Sequence, residues 1–182
     1  ALPISFVYAY WDDIDRTAHE FGLAEHYDDE LMACDAMVAE LLDRLPTDTA
    51  VVVTADHGQV HVGDRILELP AEVSGLIDGQ SGEARFRWLH ARTGAATDLA
   101  AAASEAFGEV AWVRSVDQVV ADGWLGPVVT GSARRRLGDV AVVPHEPVAI
   151  VDPAEHTSIH LIGRHGSLTS DEVFVPALCA VT

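Results

Sequence analysis

Lysine is absent from this sequence: all 11 basic residues are arginine, set against 29 acidic ones, for a formal net charge of −18. A chain this acidic repels polyanions, which argues against a nucleic-acid polymer as partner. The same balance is also the habit of acidic proteomes and assigns no function alone. A small phosphate ester can still bind where metal ions supply local positive charge. Cysteine is scarce, with only Cys34 and Cys179, which excludes a disulfide framework. Cys34 falls in an apolar helical stripe and Cys179 in a strand expected to be buried, so both are expected as small core residues. No run reaches membrane-spanning length, so no membrane partner is expected. The apolar opening, residues 2–10, is short, stops at Trp11, Asp12 and Asp13, and lacks a basic leader, unlike a signal peptide. An initiator Met is missing too. The chain opens within a strand-like run, and the expectation is a fragment or processed product, with the cytoplasm as default location. Internal repeats and low-complexity linkers are also lacking.

What is present suits one packed domain: 182 residues, 49% of them hydrophobic. Residues 4–10 read as a buried strand running into Asp12, Asp13 and Asp15. A loop with Gly22 and His26 follows. Asp28, Asp29 and Glu30 open a helix whose Leu31, Cys34, Val38, Leu41 and Leu45 recur at helical spacing, and Pro46 ends it. Val51, Val52 and Val53 form a short buried strand that delivers Thr54-Ala55-Asp56-His57-Gly58. This alternation indicates an α/β sheet. Further on, strands are expected at 85–89, 111–114, 139–143 and 177–181, and helices at 98–107 and 116–121. Gly123, Gly126 and Pro127 mark a turn, 144–156 a loop, and Ser170-Asp171-Glu172 a short helix before Pro176. Arg134-Arg135-Arg136, the only basic run, reads as a solvated helix face.

Three constellations carry chemistry. Asp15 and His19, four residues apart after a strand, can share a helix face or a turn and meet one ion. An N-capping Asp followed by an unrelated His would look the same. Asp56 and His57 leave a strand side by side, and Gly58 permits a close approach of backbone to a ligand. Here too, an Asp cap on a strand-to-helix turn is an alternative. His165 sits in a Gly-flanked loop, free to reach a site. Oxygen and imidazole donors suit a borderline metal such as zinc. Asp15, His19 and His165 make one three-donor set; Asp56 and His57 make an incomplete second. Asp12 and Asp13 compete with Asp15 as ligand, and His61, His145, His156, His160 and Ser167 are lesser candidates for pocket, supporting or substrate contacts. Thr54 is expected to face the core rather than to act as a nucleophile.

The order Asp-x-x-x-His, then Thr-Ala-Asp-His-Gly after a Val-rich strand, then a late His-Gly resembles type I phosphodiesterases and nucleotide pyrophosphatases of the alkaline phosphatase superfamily. The motifs concentrate in residues 5–63 and 160–178, and 80–143 reads as a variable insertion. The resemblance implies an alkaline phosphatase-like three-layer α/β sandwich lacking its N-terminal strands and nucleophile helix. It implies that Asp15, His19 and His165 hold one zinc and that Asp56 and His57 hold a second, about 4 Å away. It further implies hydrolysis of phosphodiester or pyrophosphate bonds, nucleotide-type by family default, through a covalent phospho-enzyme. The family's Thr or Ser nucleophile and one further Asp ligand have no match here. The chain's missing N-terminal region is therefore an expected partner, alongside the phosphate-ester substrate. Related activities are phosphomonoester, sulfate and phosphonate hydrolysis. Another class of reading is a non-catalytic metal- or partner-binding module, and a docking fragment would expose an apolar patch.

Overall fold

The computed structural model describes residues 5–152 and 160–182. Helix α1 (Asp13–Phe21) leads into α2 (Glu25–Arg44), and the strand β1 (Ala50–Thr54) follows. Two short strands, β2 (Val60–His61) and β3 (Ile66–Glu68), precede the helical turn α3 (Ala71–Ser74). The middle is a meander with inserted helices: β4 (Ile77–Glu83), β5 (Phe86–Ala91), α4 (Ala96–Phe107), β6 (Ala111–Ser115), α5 (Val116–Ala121), α6 (Gly131–Arg134) and β7 (Val140–Pro144). β8 (Ala149–Val151), β9 (Gly163–Arg164), α7 (Ser170–Val173) and β10 (Ala177–Val181) complete it.

The core lies in the middle. β4, β5, β7 and β6 form one antiparallel sheet in that order. Every residue of β7 is buried, and its side chains divide between two clusters by strand alternation. Val140 and Val142 join Leu89, Leu99, Ala103 and Phe107 on the α4 side. Ala141 and Val143 join Trp88 and Val119 on the other face. In α4 the buried residues Leu99, Ala103 and Phe107 recur every four positions, the inward stripe of an amphipathic helix. Ser115 and Gln118 close a reciprocal capping box on α5, which explains why so short a helix starts where it does. Deeper still, Arg85 and Glu172 form an ion pair whose side chains are each 1% exposed.

The site-bearing ladders are smaller. β1 pairs antiparallel with β10, β2 with β9, and β3 runs parallel to β8. Several expectations change here. Residues 5–10 are not a buried strand but exposed chain outside any helix or strand, with Phe6 87% exposed. Strand conformation needs a hydrogen-bonded neighbour, and none of the ladders among the described residues includes this segment. β1 is not buried either: Val52 is 65% exposed and its ladder has one partner strand. Cys179 in β10 is exposed and Cys34 half-buried, so neither is a core residue. Helix α2 begins at Glu25, before the Asp28–Glu30 run, and contains no buried residue. β8 lies inside the stretch expected as a loop, and Thr54 faces outward rather than into the core. Arg135 and Arg136 are exposed as expected, while Arg134 pairs with Asp117. Among the described residues no helix is long and apolar enough to cross a membrane.

Candidate metal centre

Three local structures bring the donors together. Asp15 and His19 stand one turn apart in α1, so both side chains project from one face. The turn after β1 carries Asp56 and His57. The β2–β9 ladder, with Val60 opposite Arg164 and His61 opposite Gly163, sets the chain just past that turn beside the chain leading into His165. Helix α1 is docked on the same place, because Ile162 N–H donates to the His19 carbonyl at 2.8 Å. Gly163 is required at this crossing: a Cβ there would overlap the Ala18 carbonyl and the Gln59 side chain.

The centre of the cluster is Asp15 Oδ1. His19 Nε2 lies 3.4 Å from it, His165 Nε2 3.8 Å and His57 Nε2 3.9 Å. Donor atoms of Asp15, His19 and His165 all lie within 4.8 Å of one another. The His57 and His165 rings stack with centroids 3.5 Å apart, and His19 is tilted against His165 at 5.2 Å. The two donor sets expected from the sequence therefore share a boundary. Asp56 stands at the rim: its side chain is 70% exposed and 3.8 Å from His57 Nε2.

The ring orientations suit a cation. His19 Nδ1 is 2.7 Å from the Gly163 carbonyl, and His57 Nδ1 is 3.0 Å from the Gly58 carbonyl. A carbonyl only accepts, so each Nδ1 donates its proton there and Nε2 is the ring nitrogen left facing Asp15. Burial, together with the neighbouring His57, lowers the His165 pKa from 6.5 and so favours its neutral form. Three imidazole nitrogens thus surround one carboxylate oxygen at 3.4–3.9 Å, longer than ordinary hydrogen bonds, an arrangement that a divalent ion satisfies. The mouth is electronegative as well: Asp56, with lesser contributions from burial and Asp15, raises the Tyr10 phenol above its ordinary 10.0.

One participant was not anticipated. Gln59 Nε2 donates to Asp15 Oδ1, fixing the carboxylate, and lies 3.4 Å from the Asp15 carbonyl. Its position directly after Asp56-His57-Gly58 was the available signal. Other candidates fall elsewhere. Asp13 pairs with Arg16, and Asp12 occupies the N-cap position of α1 without a side-chain capping bond. His61 is exposed and lines a cavity of about 200 Å³ with Leu23, His145 and Asp171. His145 packs against Trp112, and His160 is 3.5 Å from Asp64. Ser167 is buried, its hydroxyl donating to the Pro144 carbonyl, which makes it structural rather than a substrate contact. His156 lies outside the described residues.

Residues 2–168 match the type I phosphodiesterase / nucleotide pyrophosphatase family over most of the chain. The chain belongs to this family. Its members are metal-dependent hydrolases of the alkaline phosphatase superfamily, acting as phosphodiesterases or pyrophosphatases. Murine ectonucleotide pyrophosphatase/phosphodiesterase 5 superposes with a TM-score of 0.69 at 17% identity, over 93% of this chain and 45% of that one. The human counterpart gives 0.65, also at 17% identity and with the same coverage. Phosphonoacetate hydrolase from Sinorhizobium meliloti 1021, solved with phosphonoformate, gives 0.63 at 18% identity, over 91% of this chain and 43% of that one. These likenesses show the fold, a partial alkaline phosphatase-like α/β architecture. The chain spans less than half the length of these relatives. No curated protein matches it in sequence.

Proposed function

We propose that these residues form most of the metal centre of a hydrolase of phosphodiester or pyrophosphate bonds. Asp15, His19 and His165 would hold one divalent ion, and Asp56 with His57 would contribute to a second; zinc best matches mixed carboxylate and imidazole donors. The observation that carries this reading is the convergence of Asp15, His19 and His165 donors within 4.8 Å of one another. When bound, such ions supply Lewis acidity toward a phosphoryl oxygen. The chain's own residues prepare the place. The Gly163 carbonyl orients His19, the Gly58 carbonyl orients His57, and Gln59 holds the Asp15 carboxylate. Family resemblance calls for a Thr or Ser nucleophile and one further Asp ligand that have no match in these residues, and we assign them to a longer protein of which this chain would be part. A nucleotide-type substrate is in keeping with the murine neighbour, one structure of which holds AMP in an inactive variant.

The test begins with zinc content of the gel-filtered chain by elemental mass spectrometry. About one or two zinc per chain is expected, and His19→Ala should lose the first. No zinc after incubation with excess metal would overturn the assignment. Activity is then measured on the longer protein with a bis-aryl phosphodiester. A second reading, phosphonate hydrolysis, is favoured by the likeness to phosphonoacetate hydrolase. Phosphate release from phosphonoacetate, with the diester left intact, would select it.

A further inference from the structure

Two loops carry His57 and His165, and neither is part of a long ladder. What fixes their relation is a buried group outside the donor cluster. Glu172, in α7, has a side chain 1% exposed and an equally buried partner in Arg85. Arg85 Nε donates to Oε1 at 3.0 Å and Nη2 to Oε2 at 2.5 Å, while Nη1 donates to the carbonyls of Glu146 and Val148 at 2.5 and 2.8 Å. The same carboxylate accepts the Ser167 N–H at 2.9 Å and the Thr169 hydroxyl at 2.5 Å. Ser167 is two residues beyond His165. The backbone of Glu172 faces the other loop: its carbonyl accepts the Gly58 N–H at 2.8 Å, and Gly58 directly follows His57. The approach is close enough that a Cβ on Gly58 would overlap the Asp171 carbonyl oxygen.

We propose that Glu172 is a positioning residue for the metal centre, tying the His57 turn and the His165 loop to one buried point so that their rings meet. It touches none of the donors directly and acts through Gly58 and Ser167. A buried ion pair is weak support for stability as such, because apolar residues of similar size can replace it without loss. Here the carboxylate also takes two donors from the His165 loop, and apolar side chains cannot reproduce that. The consequence for metal affinity rests on the function proposed above; the consequence for ring geometry does not.

The experiment uses the metal-free chain and follows the imidazole C–H resonances of His57 and His165 by NMR, since stacked rings shift one another's signals. Glu172→Gln removes half of the fork. Arg85→Met combined with Glu172→Met removes the anchor without leaving a buried charge unpaired, and carries the test if the first variant does not fold. Leu99→Ala, in the core under α4, is a control for destabilisation alone. In the Glu172 variants both histidine signals are expected to move toward unstacked positions, with zinc affinity reduced roughly 10- to 100-fold. In Leu99→Ala neither should move. Unchanged histidine signals in the folded double variant would overturn the proposal, as would an equal displacement in Leu99→Ala. Should the parent chain bind no zinc while the signals still move, the positioning role stands and the metal reading fails.

Discussion

β7 and β1 are both short, valine-rich strands, yet β7 is buried along its whole length and Val52 at the centre of β1 is 65% exposed. The same contrast separates α4, with Leu99, Ala103 and Phe107 buried, from α2, which has an equally regular apolar stripe and no buried residue. Hydrophobic pattern records which face a segment would bury. Whether that face is covered depends on neighbours: β7 has a strand on each side and a cluster on each face, whereas β1 has β10 alone. Exposed apolar residues include Phe6, Val7 and Tyr8 in the 5–10 segment, Val52 of β1, Phe174 just after α7 and Leu178 of β10, but also Met32 of α2 and Val128.

This contrast can be broken by mutation. The largest effect is expected from Leu99→Ala, about 2–5 kcal/mol of lost stability, measured by urea unfolding. Gly163→Ala should follow at about 1–3 kcal/mol, because the added Cβ overlaps the Ala18 carbonyl. A smaller effect is expected from pH in the metal-free chain. The folded-state pKa of His165 is below 6.5, so the unfolded chain takes up a proton first as pH falls. The His165 contribution is therefore complete above pH 6.5 and lost as pH drops through the folded value. His165→Gln should flatten that part of the stability profile; an unchanged slope would reject its origin in His165. Smallest of all, Val52→Thr and Asp56→Asn should each shift stability by about 0.5 kcal/mol or less, as surface substitutions do. A loss above about 2 kcal/mol in Val52→Thr would mean that β1 is covered in solution. Global unfolding of Asp56→Asn would make that residue structural, whereas weakened zinc binding with the fold intact is expected.

Legibility followed local signals. The helices near 98–107 and 116–121 and the strand at 177–181 were readable from an alanine-rich stretch and short apolar runs, and they stand within about two residues of expectation. β4 was not readable: its sequence, Ile-Asp-Gly-Gln-Ser-Gly-Glu, lacks apolar alternation and is held as a strand by pairing with β5. β8 was hidden among Pro, His and acidic residues and exists through its parallel pairing with β3. In the candidate site, Asp15 with His19 and Asp56 with His57 could be singled out because each pair is local in sequence.

The sequence by itself determined the donor types, the one-turn spacing of Asp15 and His19, the strand that delivers Asp56 and His57, and the family. The local spacings are fixed by bonding along the chain and by helix and strand periods, and the family by the resemblance of its motifs. Only the tertiary structure decided that His165 stacks on His57, that Gln59 holds Asp15, and that Arg85 and Glu172 bury their charges behind both loops. Arg85 and Glu172 lie 87 positions apart. A contact of that kind forms only when the packed core removes both groups from water, and no local pattern records it.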